Sequence, residues 1–199
     1  MEKIVFASNN AGKICEVAEF FSALHIEVIS QLAFNVSEVE ETGLTFVENA
    51  IIKARHASQV TGLPALADDS GLEVDSLKGE PGIYSARYAG VSSNDQANCE
   101  KLISELKKVN EPCHTARFRC VLALMKYPND PSPYICQGVW EGEIITEPKG
   151  RNGFGYDPIF YLPQLKCTAA ELNVKEKNSM SHRAKALNQL IEQLQIGLL

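Results

Sequence analysis

The 199-residue sequence predicts an α/β fold, in which a mixed sheet is flanked by helices. The first observation is the order of the opening elements, because an apolar strand, a polar turn, an amphipathic helix and a second strand favour parallel pairing. The second is a pair of apolar segments in the second half, joined by a proline-rich loop, which favours an antiparallel hairpin. The third is composition, since 45% hydrophobic and 22% charged residues are ordinary for a globular protein with a sizeable core.

Short apolar runs and helical periodicity place the first elements. Residues 3–7 are a predicted strand, residues 8–13 a polar turn and residues 27–30 a second strand. Between them, apolar side chains recur at the spacing of one helix face, at Ile14, Val17, Phe20, Phe21 and Leu24. The opening of the chain is therefore expected to be a β-α-β unit.

A second helix is predicted at residues 45–60, where Thr45 and Glu48 form a capping box. Its inward face is expected at Phe46, Ala50, Ala54 and Ala57. Residues 65–67 then read as a buried strand that runs into the polar sequence DDSG at 68–71. Acidic residues are therefore expected at the end of this strand.

The second half alternates glycine-rich loops with longer regular elements. In order, these are a loop at 79–90, a helix capped by Asn94 or Asp95, strands at 116–126 and 134–145, a loop at 151–157 and a closing helix at 181–195. The closing helix is expected to turn Ala184, Leu187, Ile191 and Leu194 inward. The lone Trp140 and the histidines at 25, 56 and 114 are expected to be structural.

Charge and cysteine content exclude several function classes. A net charge of −6 and a pI of about 5.3 argue against a nucleic-acid partner, which calls for a basic surface. No apolar run approaches the roughly 20 residues of a membrane span, and the first residues lack the features of a signal peptide. The six cysteines contain no C-x-x-C pair, so reduced thiols in a cytoplasmic protein are expected.

The turn after the first strand is a candidate phosphate site. A strand, a turn and a helix place backbone N–H groups and the helix dipole together. Asn9, Asn10 and Gly12 suit a tight turn there, and Lys13 adds a positive charge. The turn is not a P-loop, because that motif requires glycine at position 7 and serine or threonine at position 14. An ordinary helix cap with a solvated lysine is the alternative.

Two acidic clusters are candidates for a metal site. Glu38, Glu40 and Glu41 precede a Thr-Gly pair, and Asp68 and Asp69 follow the buried strand at 65–67. Carboxylates from two segments suit Mg²⁺, a hard cation that bridges carboxylates and phosphates. A remaining carboxylate could deprotonate an attacking water molecule. The alternatives are a simple turn at 68–71 and a solvated loop at 38–41.

A cationic cluster lies near the end of the chain. Lys175, Lys177, His182 and Arg183 fall within a short stretch of an acidic protein. Ser181 is a predicted helix N-cap, which puts two of these cations in the first helical turn, where the dipole disfavours them. This mildly unfavourable placement indicates a ligand that requires it, and a solvated basic face is the alternative.

A glycine-bracketed aromatic loop occupies residues 153–158. Phe154 and Tyr156 stand among the glycines, and exposed aromatic rings in such a loop can stack on a flat base. The alternative is that each ring anchors the loop to the core.

Six motifs together resemble a known family. They are SNNAGK at 8–13, EETGLTFVENA at 40–50 with Lys53, ADDSGL at 67–72, PGIYSARY at 81–88, GFGYDP at 153–158 and SHR at 181–183. The chain closely resembles the inosine triphosphate pyrophosphatase family, most of all its bacterial branch, and the resemblance covers nearly the whole length. It implies one domain over residues 1–199, elongated and two-lobed with a central cleft, and a cytoplasmic homodimer.

The resemblance also implies site residues. A triphosphate is implied to contact Ser8, Asn9, Asn10, Ala11, Gly12, Lys13 and Lys53, and Ser70 to touch substrate. Mg²⁺ is implied to be held by Glu40 and Asp69, with Glu41 and Asp68 nearby, and Asp69 to accept the proton. The base is implied to contact Phe154, Gly155, Tyr156, Asp157, Lys177, His182 and Arg183.

The implied reaction is hydrolysis of ITP, dITP and XTP to the monophosphate and pyrophosphate, through attack of water at the α-phosphate. This activity would cleanse the nucleotide pool of deaminated purines. Arg183 carries donors alone, so it suits the 6-oxo group of hypoxanthine and leaves the 6-amino group of adenine unsatisfied. Another hydrolase, such as a phosphatase or Nudix enzyme, and a nucleotide sensor without turnover are the alternatives. No Nudix-type helix is found, and neither Asp69 nor Lys13 is replaced.

Overall fold

The computed structural model describes residues 2–22, 24–90, 94–109 and 114–196. The strands in these ranges are β1 Lys3–Phe6, β2 Glu27–Ser30, β3 Ala65–Val74, β4 Thr115–Met125, β5 Tyr134–Ile144, β6 Phe160–Leu162 and β7 Cys167–Thr168. The α-helices are α1 Ala11–Ser22, α2 Phe46–Thr61, α3 Asp95–Leu106, α4 Val174–Met180 and α5 His182–Ile196. The 3₁₀ helices are Gln31–Phe34, Asp75–Leu77, Gly82–Arg87, Asp157–Ile159 and Ala169–Glu171.

The strands form one sheet in the order β2-β1-β3-β4-β5-β6-β7. β1 pairs in parallel with β2 and with β3, whereas β6 pairs antiparallel with β5 and with β7. The predicted α/β fold with a mixed sheet is therefore confirmed. The predicted strands at 116–126 and 134–145 correspond to β4 and β5, which are hydrogen-bonded neighbours in the sheet.

Capping residues set the helix starts much as the sequence indicates. Thr45 precedes α2 and accepts a hydrogen bond from the Glu48 amide, and Asn94 accepts one from the Ala97 amide at the start of α3. The predicted inward face of α2 is buried, at Phe46, Ala50, Ala54 and Ala57. Side-chain acceptors satisfy amides that a helix start leaves unpaired, which is why such residues mark helix starts.

The strand predicted at 65–67 is wrong in extent, because β3 continues to Val74. Asp68, Asp69, Ser70 and Gly71 therefore lie within the strand instead of forming a turn at its end. β3 has hydrogen-bonded neighbours on both sides, and Leu72 beyond the polar segment is fully buried. Sheet pairing and burial override the turn preference of these residues.

The loop predicted at 79–90 also contains regular structure. Residues Gly82–Arg87 form a 3₁₀ helix. The Ser85 hydroxyl donates to the Gly82 carbonyl at 2.6 Å and accepts from the Leu72 amide at 2.9 Å, which ties this helix to β3. The Gly, Pro and Tyr content of this segment predicts a loop, and the two hydrogen bonds of the Ser85 hydroxyl cannot be read from that composition.

The chain divides into two compact units. Unit 1 comprises residues 1–69, 120–138 and 185–199, and unit 2 comprises residues 70–119 and 139–184. The core of unit 1 includes Ile4, Phe6, Val17, Phe21, Leu66, Leu122, Leu124, Leu187 and Leu190. The core of unit 2 includes Leu72, Leu102, Leu106, Phe118, Trp140, Tyr156, Ile159 and Phe160. The elongated outline and central cleft remain predictions.

Helix apolarity and the state of the cysteines can be read from the structure. Within the described residues, no helix has the combination of length and apolarity that a bilayer crossing demands. The thiols of Cys15, Cys99, Cys120, Cys136 and Cys167 are free of disulfides, and three of them are buried. Cys113 lies outside the described residues.

Burial predicts a large stability difference between two phenylalanines. Phe21 of α1 is fully buried in the core of unit 1, whereas Phe34 is exposed. We expect Phe21→Ala to lower the free energy of unfolding by about 3–5 kcal/mol, because it removes buried area and leaves a cavity. Phe34→Ala should cost less than about 1 kcal/mol. Urea unfolding measures both losses, and equal losses would contradict the packing described for α1.

Candidate active site

The turn between β1 and α1 is organised by its own side chains. The Ser8 hydroxyl accepts from the Asn10 amide at 3.2 Å, and the Asn10 side chain accepts from the Lys13 amide at 3.0 Å. Asn10 therefore acts as the N-cap of α1. The start of a helix carries a partial positive charge, so this turn suits an anion.

Asn9 is fixed by two residues from the segment that follows β2. Its amide nitrogen donates to Glu38 Oε1 at 2.8 Å, and its amide oxygen accepts from Gln31 Nε2 at 2.8 Å. Gln31 is buried, and no signal in the sequence indicates its role in positioning Asn9. These two hydrogen bonds hold the side chain of Asn9, a predicted phosphate-binding residue, in one orientation.

Lys13 is paired with a buried carboxylate, and a solvated lysine is therefore the wrong interpretation. Its Nζ forms a short ion pair with Asp68 Oδ1, and the Asp68 side chain has no exposed surface. Asp68 Oδ2 accepts from Cys120 Sγ at 3.1 Å. Because both oxygens of Asp68 have protein partners, this residue serves as the counter-ion of Lys13. Its assignment as a metal ligand stays a prediction.

Lys53 joins two of the predicted metal carboxylates. Its Nζ, carried by α2, lies 2.6 Å from Asp69 Oδ1 and 2.7 Å from Glu41 Oε1. Asp69 is buried, and within the described part of the chain its Oδ2 atom has no hydrogen-bond partner. One oxygen of Asp69 is thus fixed by an ammonium group, while the other keeps its full accepting capacity.

Burial and charge set the protonation behaviour of this pair. Burial raises the pKa of Asp69, the Lys53 ammonium opposes this shift, and the pKa remains above its ordinary value. Burial alone would lower the pKa of Lys53, but attraction to Asp69 and Glu41 outweighs it and the pKa is raised. A carboxylate whose pKa is raised toward neutrality is better suited to accept a proton from water.

The acidic segment before α2 is attached to that helix. The Gly43 amide donates to Asn49 Oδ1 at 2.9 Å, and the Leu44 amide donates to Glu48 Oε2 at 2.9 Å. A side chain at Gly43 would collide with Glu48 and Asn49, which accounts for glycine at this position. Sequence reasoning missed Asn49, although a polar residue on the apolar face of a predicted helix was a usable signal.

The carboxylates predicted to bind metal are therefore distributed among different partners. Within the described ranges, no three Asp, Glu, His or Cys side chains are gathered closely enough to hold a metal ion. Glu40 is exposed, and the Asp69 Oδ2 atom is buried and unsatisfied. Mg²⁺ is commonly bound by one or two carboxylates together with water and substrate phosphates. The buried, unsatisfied Asp69 Oδ2 is an oxygen donor that fits this ion.

Unit 2 contains the second predicted group of site residues. Asp157 is buried, and its Oδ2 accepts from the Phe154 amide at 2.9 Å and from Lys177 Nζ at 2.5 Å. The carboxylate closes the 153–157 loop on itself and ties it to α4. Sequence reasoning missed α4, although Asn173 and Glu176 form its capping box and were a usable signal.

The two aromatic residues of this loop differ in their surroundings. Tyr156 is buried in the core of unit 2, and its hydroxyl donates to the Ser85 carbonyl at 2.8 Å. This residue anchors the loop, and its contact with a base stays a prediction. Phe154 is half-buried, with Lys177 Nζ 4.6 Å and Arg183 Cζ 5.8 Å from its ring centroid. Cations at such distances are attracted to the ring face.

Three members of the predicted cationic cluster are buried, namely Lys177, His182 and Arg183. The interpretation as a solvated basic face is therefore wrong for these three. Lys175 is exposed, and that interpretation holds for it. The His182 ring stacks on Phe118, with centroids 4.8 Å apart and planes 13° apart. The predicted structural residue Trp140 lies in the core and has its centroid 6.4 Å from that of His182.

The start of α5 brings Arg183 to the polar part of β3. Ser181 precedes the helix, and its hydroxyl accepts from the Ala184 amide at 3.2 Å, as the predicted N-cap requires. Arg183 is almost fully buried, and its guanidinium donates to the Ser70 hydroxyl at 3.3 Å. A buried guanidinium presents directional donors in a fixed plane.

Comparison with known proteins gives close matches along the whole chain. A Vibrio parahaemolyticus protein named dITP/XTP pyrophosphatase is 60% identical over 194 residues, which are 98% of this chain and 97% of that protein. A HAM1 protein of Coxiella burnetii has a solved structure with a TM-score of 0.92 and 54% identity, covering 98% of this chain and 99% of that one.

The Staphylococcus aureus Ham1 protein has a solved structure with a TM-score of 0.86 and 45% identity, covering 97% of this chain and 98% of that one. The model of the Ham1 family matches residues 4–193. The resemblance drawn from the six motifs is thereby confirmed, and the chain belongs to the Ham1 family.

Proposed function

We propose that this protein is a nucleoside triphosphate pyrophosphatase, which hydrolyses dITP, ITP and XTP to the monophosphate and pyrophosphate. Its relative of 60% identity bears the name dITP/XTP pyrophosphatase. The observation that carries the proposal is Asp69, a buried carboxylate with one oxygen fixed by Lys53 and, within the described residues, no partner for the other. Such a group is suited to deprotonate water for attack on a phosphorus atom.

The triphosphate end of the reaction is assigned to unit 1. Ser8 to Lys13 and Lys53 bind the phosphates, and Asp69 Oδ2 accepts the proton of the attacking water. The ammonium groups of Lys13 and Lys53 stabilise the charge that develops on the departing pyrophosphate. Glu40, Asp69 and the adjacent Glu41 would supply the carboxylate oxygens that hold Mg²⁺. When bound, this ion neutralises phosphate charge.

The base end is assigned to unit 2, where Phe154, Lys177, His182 and Arg183 contact the purine. The guanidinium of Arg183 carries donors alone, so it pairs with the 6-oxo group of hypoxanthine or xanthine. Adenine presents a 6-amino donor at the same position and would leave donors facing each other without an acceptor. Unpaired buried donors are costly, and this cost supports selection against ATP.

We propose that the protein is a cytoplasmic homodimer. The free thiols of the described residues agree with a reducing compartment. The acidic net charge gives no support to a nucleic-acid partner.

The products of dITP and XTP test the proposed reaction directly. With Mg²⁺ present, we expect purified protein to release the monophosphate and pyrophosphate, because attack at the α-phosphorus leaves the outer two phosphates joined. Chromatography of the nucleotide and separate assays for pyrophosphate and orthophosphate measure this outcome. Orthophosphate as the first product, or binding of dITP without turnover, would contradict the proposal. GTP and ATP serve as comparison substrates.

Replacement of Asp69 tests the identity of the base. We expect Asp69→Asn to lower kcat for dITP about 100-fold or more, because the amide cannot accept a proton from water. The wild-type enzyme should lose kcat/KM on acidification as Asp69 becomes protonated, since the base acts when deprotonated. This acid limb should be absent from the residual activity of the variant.

Asp130→Asn is the matched control for this variant. Asp130 is likewise a buried aspartate of unit 1, where it accepts from the Lys126 and Ser132 amides at 3.1 and 2.9 Å. Its replacement should lower stability with little effect on kcat. Similar kcat losses in both variants would mean that Asp69 has a structural role and is not the base.

Replacement of Arg183 tests base selection. We expect Arg183→Lys to lower the ratio of kcat/KM for ITP to that for ATP about tenfold or more, because lysine keeps the charge and loses the planar donors. Steady-state kinetics with both nucleotides measure the ratio. Arg119→Lys, which alters an ion pair with Glu73 in the same unit, should leave it unchanged. Equal losses for ITP and ATP in Arg183→Lys would show that Arg183 does not read the 6-oxo group.

A further inference from the structure

Lys53 occupies the place between two carboxylates that a divalent cation would take. Its Nζ contacts Asp69 Oδ1 at 2.6 Å and Glu41 Oε1 at 2.7 Å. The three side chains come from three different segments, namely α2, β3 and the stretch before α2. Carboxylate oxygens directed at one cation are also the ligands that a hard divalent ion takes. Here the cation that contacts them is an ammonium group.

The charges show why a cation is required at this position. Asp69 and Glu41 both approach the same Lys53 ammonium, at 2.6 and 2.7 Å, so the two carboxylates lie close together. Two carboxylates at close range repel each other when both are ionised. Lys53 is largely buried, with 15% of its side chain exposed, so water screens this repulsion poorly. The ammonium group therefore acts as the internal counter-ion of the pair.

The neighbouring ion pair, between Lys13 and Asp68, differs in the partner of the second carboxylate oxygen. Asp68 also contacts a lysine, Lys13, but its second oxygen accepts from Cys120 Sγ. Within the described residues, Asp69 Oδ2 is buried and has no hydrogen-bond partner. Of the two aspartates, Asp69 is therefore the one with an oxygen, Oδ2, that can still bind a cation while Lys53 holds Oδ1.

We propose that Lys53 competes with the divalent cation for Glu41 and Asp69, and that a bound triphosphate relieves this competition by pairing with Lys53. The part played by the triphosphate rests on the proposed function, whereas the competition does not. Charge balances in the exchange, because the ammonium group gains phosphate oxygens and the two carboxylates gain a divalent cation. The metal and the nucleotide then each raise the affinity for the other, as linkage requires.

Binding of Mg²⁺ alone, measured by isothermal titration calorimetry without nucleotide, tests the competition. We expect Lys53→Met to bind Mg²⁺ at least about tenfold more tightly than the wild-type protein. An adjacent positive charge alters proton binding to a carboxylate by about one to three orders of magnitude, and it repels a divalent cation in the same way. Lys53→Gln should show the same gain. Lys53→Arg keeps a positive charge and should remain as weak as the wild type.

A gain in affinity cannot come from loss of folding, which makes this outcome decisive. The double variant Lys53→Met/Asp69→Asn should lose the gain, because it lacks one of the two carboxylates. Affinity for Mg²⁺ in Lys53→Met and Lys53→Gln that equals or falls below the wild-type value would overturn the proposal. So would an equal gain in Lys53→Arg or in the double variant.

The result can be separated from the test of the proposed function. The titration contains no nucleotide, while the product assay uses the wild-type protein. If dITP yields no pyrophosphate and Lys53→Met nevertheless gains affinity for Mg²⁺, the proposed function fails and the competition stands. If dITP is hydrolysed and no gain is observed, the competition fails and the proposed function stands.

Discussion

The two ion pairs on β3 are the constraint on which the first part of the candidate site depends. Successive side chains of a strand point to opposite faces, so Asp68 and Asp69 cannot share one partner although they are adjacent. Asp68 pairs with Lys13 from α1, and Asp69 pairs with Lys53 from α2. The alternation of the strand thereby gives each predicted phosphate-binding lysine its own carboxylate. It also separates the roles of two aspartates that sequence spacing leaves equivalent.

Burying these charges has a cost that folding alone does not explain. Desolvation of an ion costs several kcal/mol, by order of magnitude, and an ion pair recovers it only with good geometry and additional hydrogen bonds. Asp68 has such support from Cys120, whereas in the described residues Asp69 Oδ2 has none. A hydrophobic residue at position 69 would avoid the unsatisfied oxygen. The aspartate is therefore better explained by chemistry performed there than by stability of the strand.

Local patterns predict those parts of the fold in which local interactions decide the outcome. Periodicity and capping predict the strand at residues 27–30 and the start of α2 directly after its N-cap Thr45. They do not predict the extent of β3, because residues 68–71 favour a turn locally and the paired neighbours of the strand decide otherwise. The start of α4 is also set locally, because Asn173 and Glu176 form a capping box that is readable in the sequence.

The candidate site depends on contacts between residues far apart in sequence, and spacing cannot supply these. Lys13 and Asp68 are 55 positions apart, and Tyr156 and its partner Ser85 are 71 apart. Without those partners, the sequence cannot tell a solvated lysine from a buried one, or a base-stacking ring from a loop anchor. The sequence supplies the residue types and leaves their alternatives open, and burial resolves the alternatives for Lys13 and Lys177.

The cations of unit 2 raise the same question of cost as the aspartates of unit 1. A helix dipole disfavours positive charge in the first turn, yet Arg183 is buried at the start of α5. Its hydrogen bond to Ser70 and its position near the Phe154 ring offset part of this cost. A guanidinium also presents a planar set of directed donors, and under the proposed function these donors pair with the oxo edge of a deaminated purine.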